Sequence, residues 1–548
     1  MNELKADYVV VGAGSAGCVL SARLTENPHA SVLLLEAGAK DRHPYIHVPA
    51  GFLRLLEHPT ITWGSHTRPH ADTDHRELLF PRGRGLGGSS AINGLLYVRP
   101  FAHDLDDWAQ AGATGWDAAS AQPYFVRSET WRDGSHPRRG DRGPIQVTRV
   151  NNPPPVCEQV IEAAREAGYE FLDDPNADTR GPSVFYHQQT RRGRFRSSAA
   201  RAYLQPALGR SNLRVLTGTD VVRVLLEGGR AIGVEVIQPD GQLLRVLADK
   251  EVIVSAGVVG SPALLERSGI GDPDVLAAAG IPTQVPLRGV GRNLQDHYVA
   301  RVCFKLQGIA TANERASGLA LVKEMVRYVT HGDGLLTYSA ALVGLYAQTA
   351  HAQRPDVQFV VAPGSFRSGR IGELEKEPGI SIGCWQMRPE SRGEIHIASA
   401  DPRAQPVIEP RYLSEALDRR TLVEALRMAR GLLAQNSMRA HVVEETVPGA
   451  AAQSDAQLLA YARANGGTVY HGVGTCRMGQ DEGAVVDPDL RVRGVRGLRV
   501  VDASVMPNVT STNTNATVLM LAERAAERIE QQSDGVDAPR SVGSPVAA

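Results

Sequence analysis

The run Gly12-Ala13-Gly14-Ser15-Ala16-Gly17 has the residue types and spacing to hold a dinucleotide. It follows a short β-branched strand, Tyr8 to Val11, and leads into a segment of helical apolar spacing, Cys18 to Leu24. In such a turn Gly12 permits the sharp reversal and Gly14 lets backbone approach a pyrophosphate. Gly17 lets helix and strand pack closely, and the helix N-terminus attracts the phosphate charge. Glu36, followed by Ala37, ends the next apolar strand, Ser31 to Leu35, where its carboxylate can accept hydrogen bonds from an adenosine ribose. Strand, helix, second strand and acid agree on dinucleotide binding. The motif does not separate NAD from FAD.

Other chemically suggestive groups carry less. His43 and His47, and His66 and His70, have the spacing of zinc pairs on a helix, but Pro44 and Pro69 interrupt both. Ser89 and Ser90 lie in a glycine-rich loop without G-x-S-x-G, which argues against a serine hydrolase. The basic cluster Arg191 to Arg196 reads as solvated or ion-paired surface ahead of any docking role.

Three further segments decide the cofactor. PRGRGLGGSSAING runs from Pro81 to Gly94, SAGVVGSPALLERSGIG from Ser255 to Gly271, and YHGVGTCRMG from Tyr470 to Gly479, followed by LRVVDASVMPNVTSTNTNATVLMLAE. With the fingerprint, these resemble the glucose–methanol–choline family of flavin oxidoreductases over nearly the whole chain. The likeness is nearest to the bacterial choline dehydrogenase, aliphatic alcohol dehydrogenase and hydroxymethylfurfural oxidase branch. The resemblance implies FAD along the loop Arg82 to Leu96. There Leu86, Gly87, Gly88 and Ser89 would give backbone contact, Asn93 would touch the flavin, and Gly94, Leu95 and Leu96 would continue along it. Val221 resembles the residue whose backbone meets the adenine. Asp502 and Ala503 resemble a pair near the ribityl and pyrophosphate groups, and Thr514 and Thr517 belong to the closing segment. Ile92 stands where some relatives carry a histidine bonded to FAD, so the cofactor is expected to be non-covalent. Val258 stands where a smaller residue is usual.

The resemblance also implies the reaction. Hydride leaves an alcohol carbon more easily once the hydroxyl proton has gone to a base, and a neutral imidazole suits that task. Of the 16 histidines, His471 aligns with the family's catalytic base. Asn513 occupies the partner position, where a side-chain amide can hold the substrate oxygen but cannot act as a base. It could equally cap the helix that follows. A helix from about Ala516 would aim its positive end at the flavin. The expected activity is oxidation of an alcohol, most simply a primary one, with oxygen or a quinone-type acceptor reoxidising the flavin. A lyase or a photodecarboxylase on the same fold is the alternative. Trp385 and Met387 could face the pocket or the core.

These residues need elements to place them. The expected fold class is α/β (α+β): a Rossmann-like FAD-binding domain built from residues 1–150, 197–300 and 465–532, and a substrate domain with an antiparallel sheet from 151–196 and 301–464. LRVLTG, VVRVLL, AIGVEV and LLRVLA read as strands of a β-meander in the region Asn212 to Val254, closed by a further strand, EVIVSAG. Helical periodicity marks Leu321 to Tyr328, Thr421 to Leu433 and Ala516 to Gln531, and the polar tail 533–548 is expected to be disordered. A chain of 548 residues exceeds one compact core. Lys plus Arg (59) balances Asp plus Glu (60), which gives no support for a nucleic-acid partner. The five cysteines are unpatterned, no secretory leader is evident, and no apolar run spans a bilayer, so a cytoplasmic protein is the simplest expectation.

Overall fold

A computed structural model describes residues 3–177, 181–366 and 373–537, with side chains to Gln532. Its first sheet is built on the β-branched run that the sequence puts at the start. β1 (Glu3–Val11) and β2 (Val32–Glu36) lie parallel, and β2 is buried along its whole length, as a strand covered on both faces must be. Beside them are β3 (Leu213–Thr217), β4 (Asp220–Glu227), β5 (Arg230–Ile237) and β6 (Leu243–Val254), in the order β3-β2-β1-β6-β5-β4. Leu498–Val500 adds a parallel strand to the end of β6.

This corrects the expected meander. β3 belongs to the parallel part, against β2, and only β4, β5 and β6 are antiparallel. LLRVLA and EVIVSAG are one continuous strand. Between the two segments, the polar triplet Asp249-Lys250-Glu251 sits at a register shift against β1, where Ala6 pairs with Ala248 and Tyr8 with Glu251. A bulge accommodates the charges without ending the strand.

Helix α1 (Ser15–Leu24) covers this sheet and packs against α3 (Asn515–Asp537). α3 runs beyond the expected helix end into the expected tail; residues 538–548 lie outside the described residues. The predicted helix near Leu321 is α2 (Gly318–His331), and the one near Thr421 starts earlier, at Ala416. Pro44 opens a single helical turn, Pro44–His47, instead of preventing one, because at the first position its missing N–H costs nothing. The His43 ring accepts from the Tyr45 N–H, and the His47 ring meets the Asp41 carbonyl.

An eight-stranded sheet forms the second body. In order its strands are Val442–Val447, Tyr298–Leu306, Gly379–Gln386, Val357–Ala362, Val343–Ala347, Ser183–Tyr186 and Glu170–Phe171, with Gly467–Thr468 also on the second of these. The division expected at residue 300 falls inside the strand Tyr298–Leu306. Alternation sorts its faces. Val343, Leu345, Val357, Phe359, Ile380 and Ile382 pack in one core with residues of the helices Pro155–Glu166 and Ala416–Leu433. Tyr346, Gln358 and Trp385 point the other way. A five-stranded sheet includes Leu96–Tyr97 and Gln188–Arg192. No helix among the described residues is long and apolar enough to cross a membrane.

Candidate active site

The strand Tyr298–Leu306 is preceded by Gln295-Asp296-His297, and Gly467–Thr468 is followed closely by His471. Pairing of Tyr298 with Thr468 brings the two histidines together. Asp296 then fixes both backbones. Its Oδ1 accepts the N–H of His297 (2.9 Å) and of His471 (2.7 Å). Its Oδ2 accepts the hydroxyls of Tyr412 (2.6 Å) and Thr468 (2.5 Å). Four donors fill the capacity of one carboxylate. Burial pushes the Asp296 carboxyl up, and these bonds favour the anion. Tyr470, just before His471, has φ +70°, a left-handed conformation costly for a bulky residue and held by its N–H on Thr468 Oγ1 (2.7 Å).

The ring hydrogen bonds determine where each imidazole proton sits. His297 Nε2 meets the Met387 carbonyl at 2.8 Å. A carbonyl can only accept, so that nitrogen carries the proton. Burial holds the His297 ring down to about 4, so at neutral pH its Nδ1 is bare. His471 Nδ1 lies 2.9 Å from that bare nitrogen and must donate to it. His471 Nε2 is therefore the unprotonated atom. Asn513 Nδ2 donates to it at 2.9 Å, and Asn513 Oδ1 has no partner among the described residues. Burial, then the neighbouring His297 ring and the Arg82 guanidinium, keep His471 well below the ordinary imidazole range. Trp385 stacks on His297 (6.0 Å, 29°) and stands edge-on to His471 (6.1 Å). Both Trp385 and Met387 are buried.

Of the residues read from sequence, His471 and Asn513 meet directly, and Asn513 bonds the imidazole rather than capping α3. His297 was missed. His471 was taken as the single histidine in a motif, yet His297 lies 174 residues away in the chain and touches it. The acid–histidine pair Asp296-His297 was the available signal.

The dinucleotide turn forms as its glycines require. A Cβ on Gly17 would stand 1.9 Å from the Gly12 carbonyl oxygen, and one on Gly12 (φ +98°) 2.5 Å from that of Ser255. A Cβ on Gly14 would meet nothing nearer than 4.0 Å, so its bare Cα borders open space. Gly14 begins α1 without a side-chain cap on the first-turn N–H groups. The loop at 82–96 closes on this turn. The Gly87 N–H donates to the Ala13 carbonyl (2.8 Å), and a Cβ on Gly88 would be 2.7 Å from Gly14 Cα. Glu36 ties the pieces: Oε1 accepts from Gly38 (2.8 Å) and Gly85 (2.9 Å), Oε2 from Ala13 (2.9 Å). One acceptor position remains on Oε2, enough for one ribose hydroxyl. Ala37 offers its carbonyl to Arg84, Leu86 N–H donates to Ala39, and Ser89 Oγ accepts from Gly83.

The remaining residues border the same region. Asn93 Oδ1 accepts from Arg196 (2.6 Å) and from the Leu95 N–H (3.1 Å), which fixes the orientation of its amide. Leu95 is left-handed (φ +64°), Gly94 lies against Ala340, and Leu96 pairs with Gln189. Ser15 Oγ donates to Asn515 (2.9 Å) at the start of α3, next to Thr514, and Ala16 is buried in the core beneath. Asp502 accepts from Gly257 (2.9 Å), Ser261 (2.5 Å) and Ser504 (2.8 Å), with Ala503 following. Val221, on β4, pairs with Val236. Arg82 Nε and Nη2, Thr512 Oγ1 and Thr517 Oγ1 are buried without a partner among the described residues. Open space at Gly14, an uncapped helix start and orphaned donors and acceptors fit a long polar cofactor such as FAD. Ile92 packs with Ile46, Leu55 and Ala91. Val258 fits in a small cluster with Phe80 and Leu294, so its size is tolerated.

The basic cluster is not simply surface. Arg196 is 1% exposed and donates to the carbonyls of Ile46 and Ser90 as well as to Asn93, and burial holds its guanidinium down to about 9. Arg191 is also buried, with bonds to the Gly193 and Gly332 carbonyls.

Comparisons with known proteins agree with this architecture. Family models described as GMC oxidoreductase match residues 6–299 and 389–522. Mouse mitochondrial choline dehydrogenase is 40% identical over 95% of this chain and 89% of that protein. An alcohol dehydrogenase [acceptor] of Pseudomonas putida is 37% identical over 98% of each. The crystal structure of pyridoxine 4-oxidase from Mesorbium loti superposes with a TM-score of 0.88 at 30% identity, covering 96% of this chain and 99% of that one. The chain belongs to the GMC oxidoreductase family, whose members are FAD-dependent flavoproteins.

Proposed function

We propose that this chain oxidises a primary alcohol to the aldehyde, with His471 Nε2 as the atom that takes the hydroxyl proton. The bare, inward-facing nitrogen fixed by the Met387–His297–His471 series carries this reading. Substrate would enter between His471 and Asn513, donating its hydroxyl proton to Nε2 and accepting from Asn513 Nδ2, so that base and orienting donor grip one oxygen. When bound, FAD supplies the hydride acceptor. Gly12, Gly14, Gly17, Glu36, the 82–96 loop with Asn93, Val221, Asp502 and the start of α3 would hold it without a covalent bond, since Ile92 offers no nucleophile. Residues 1–150, 197–300 and 465–532 serve as the cofactor-binding part, and 151–196 and 301–464 as the substrate part. The reoxidant is oxygen or a quinone-type acceptor. Five buried free cysteines fit a reducing compartment such as the cytoplasm.

Anaerobic mixing of the yellow enzyme with a panel of primary alcohols tests this. Bleaching of the flavin is expected, slowed roughly 10²–10⁴-fold in His471→Ala with the colour retained. Absence of bleaching by every alcohol overturns it, and peroxide formation in air identifies oxygen as the acceptor.

A further inference from the structure

The sheet face turned toward His471 carries polar atoms that the protein leaves unsatisfied. Tyr346 pairs with Gln358 and Gln358 with Trp385 on three adjacent strands, and Ser183 pairs with Tyr346 on a fourth. Directly paired residues of antiparallel strands project from the same face. The four side chains thus form a row across the sheet, none more than 1% exposed. Ser183 Oγ, Tyr346 Oη, both amide atoms of Gln358 and Trp385 Nε1 have no hydrogen-bond partner among the described residues. Buried polar groups are normally paired, and so many orphans in one line point to a ligand.

The row starts at the base, because Trp385 is in ring contact with both His297 and His471. Neighbouring strands lie about 4.8 Å apart, so Gln358 stands about 5 Å and Tyr346 about 10 Å beyond Trp385. Apolar walls flank it: Val98, Phe101, Phe185 and Met387 cluster with Tyr346. Gly344 leaves room for Phe185, whose ring a Cβ there would meet at 2.5 Å. The charges nearby are engaged elsewhere. Asp104 accepts from the Ser511 hydroxyl and N–H and from the Phe101 N–H. Arg388 donates to the Ser511 hydroxyl and the Pro355 carbonyl.

We propose that Trp385, Gln358 and Tyr346, with Ser183 at the far end, read a second, uncharged hydrogen-bonding group on the substrate. The substrate class is then a neutral alcohol with another hydroxyl, carbonyl or ether oxygen at the end of the molecule away from the oxidised carbon. This rests on the alcohol oxidation proposed above.

Two probes of equal shape test it on the FAD-loaded enzyme: 4-(hydroxymethyl)benzyl alcohol, with a distal hydroxyl, and 4-ethylbenzyl alcohol, without one. Wild type is expected to prefer the first at least tenfold in kcat/KM, mostly through KM. In Gln358→Leu and Tyr346→Phe the ratio should fall toward one while 4-ethylbenzyl alcohol is still oxidised. A wild-type ratio near one, or a ratio unchanged in both variants, overturns the proposal and leaves alcohol oxidation standing. Failure of both probes while another primary alcohol bleaches the flavin overturns this proposal alone, and bleaching by no alcohol overturns the two together. The wild-type comparison decides even if a variant loses its fold.

Discussion

An imidazole with a bare nitrogen is only as good a base as the bond that keeps it bare. His297 performs that task through two contacts, Met387 on one side and His471 on the other. Replacing it with alanine frees His471 to take the other tautomer. In His297→Ala kcat should fall about 10–10³-fold, with a shifted acid limb in the pH profile. His297→Asn, whose carbonyl can still accept from Nδ1, should recover part of the loss. A merely structural role would instead lower Tm and leave the profile in place. His187 offers a test of burial without catalysis. Its ring is fully buried, neither nitrogen has a partner among the described residues, and burial holds it down to about 3. The folded state therefore takes up its proton far later than the unfolded chain. The stability this gives is full above the unfolded value near 6.5 and is lost as pH falls toward 3. Thermal unfolding at pH 7.5 and pH 5 should show a smaller loss for His187→Leu than for the parent.

At the scale of elements, the glycine turn and the 82–96 loop are two halves of one cradle, in contact through Gly14 and Gly88. Gly88 is left-handed (φ +49°), and any side chain there would strike Gly14. Gly88→Ala should give a folded protein with little bound flavin, seen as a low ratio of absorbance near 450 nm to 280 nm. The first half was legible in sequence because strand, turn, helix and acid are consecutive. The meander was divided wrongly because the charged residues Asp249, Lys250 and Glu251 lie inside one strand at a register shift, and a register shift leaves no mark in a residue pattern. His297 left only a faint signal for a related reason. Its chemistry comes from a strand pairing between Tyr298 and Thr468, distant in the chain, while its own neighbours show only an acid. Arg196 misled by composition: four arginines in six residues suggest solvent, yet Arg196 turns inward to orient Asn93.

Across the whole molecule, the first and last helices close the cofactor-binding body together. Ser15 bonds Asn515, and Arg23 makes two bonds to Glu523 (2.9 and 2.8 Å). Glu523 is fully buried and also takes the Tyr203 hydroxyl (2.7 Å) and Arg127 (3.1 Å). Removing one partner of a buried ion pair leaves the others uncompensated, so Glu523→Ala should cost about 3–5 kcal/mol in denaturant unfolding and loosen flavin retention. The hydrogen bonds Ser15–Asn515 and Arg23–Glu523 span 500 residues each. During vectorial synthesis the glycine turn leaves the ribosome first and must wait for almost the entire polypeptide. A nascent chain stalled before Asn515 should accordingly stay colourless however much flavin is supplied, and yellow should develop only after release.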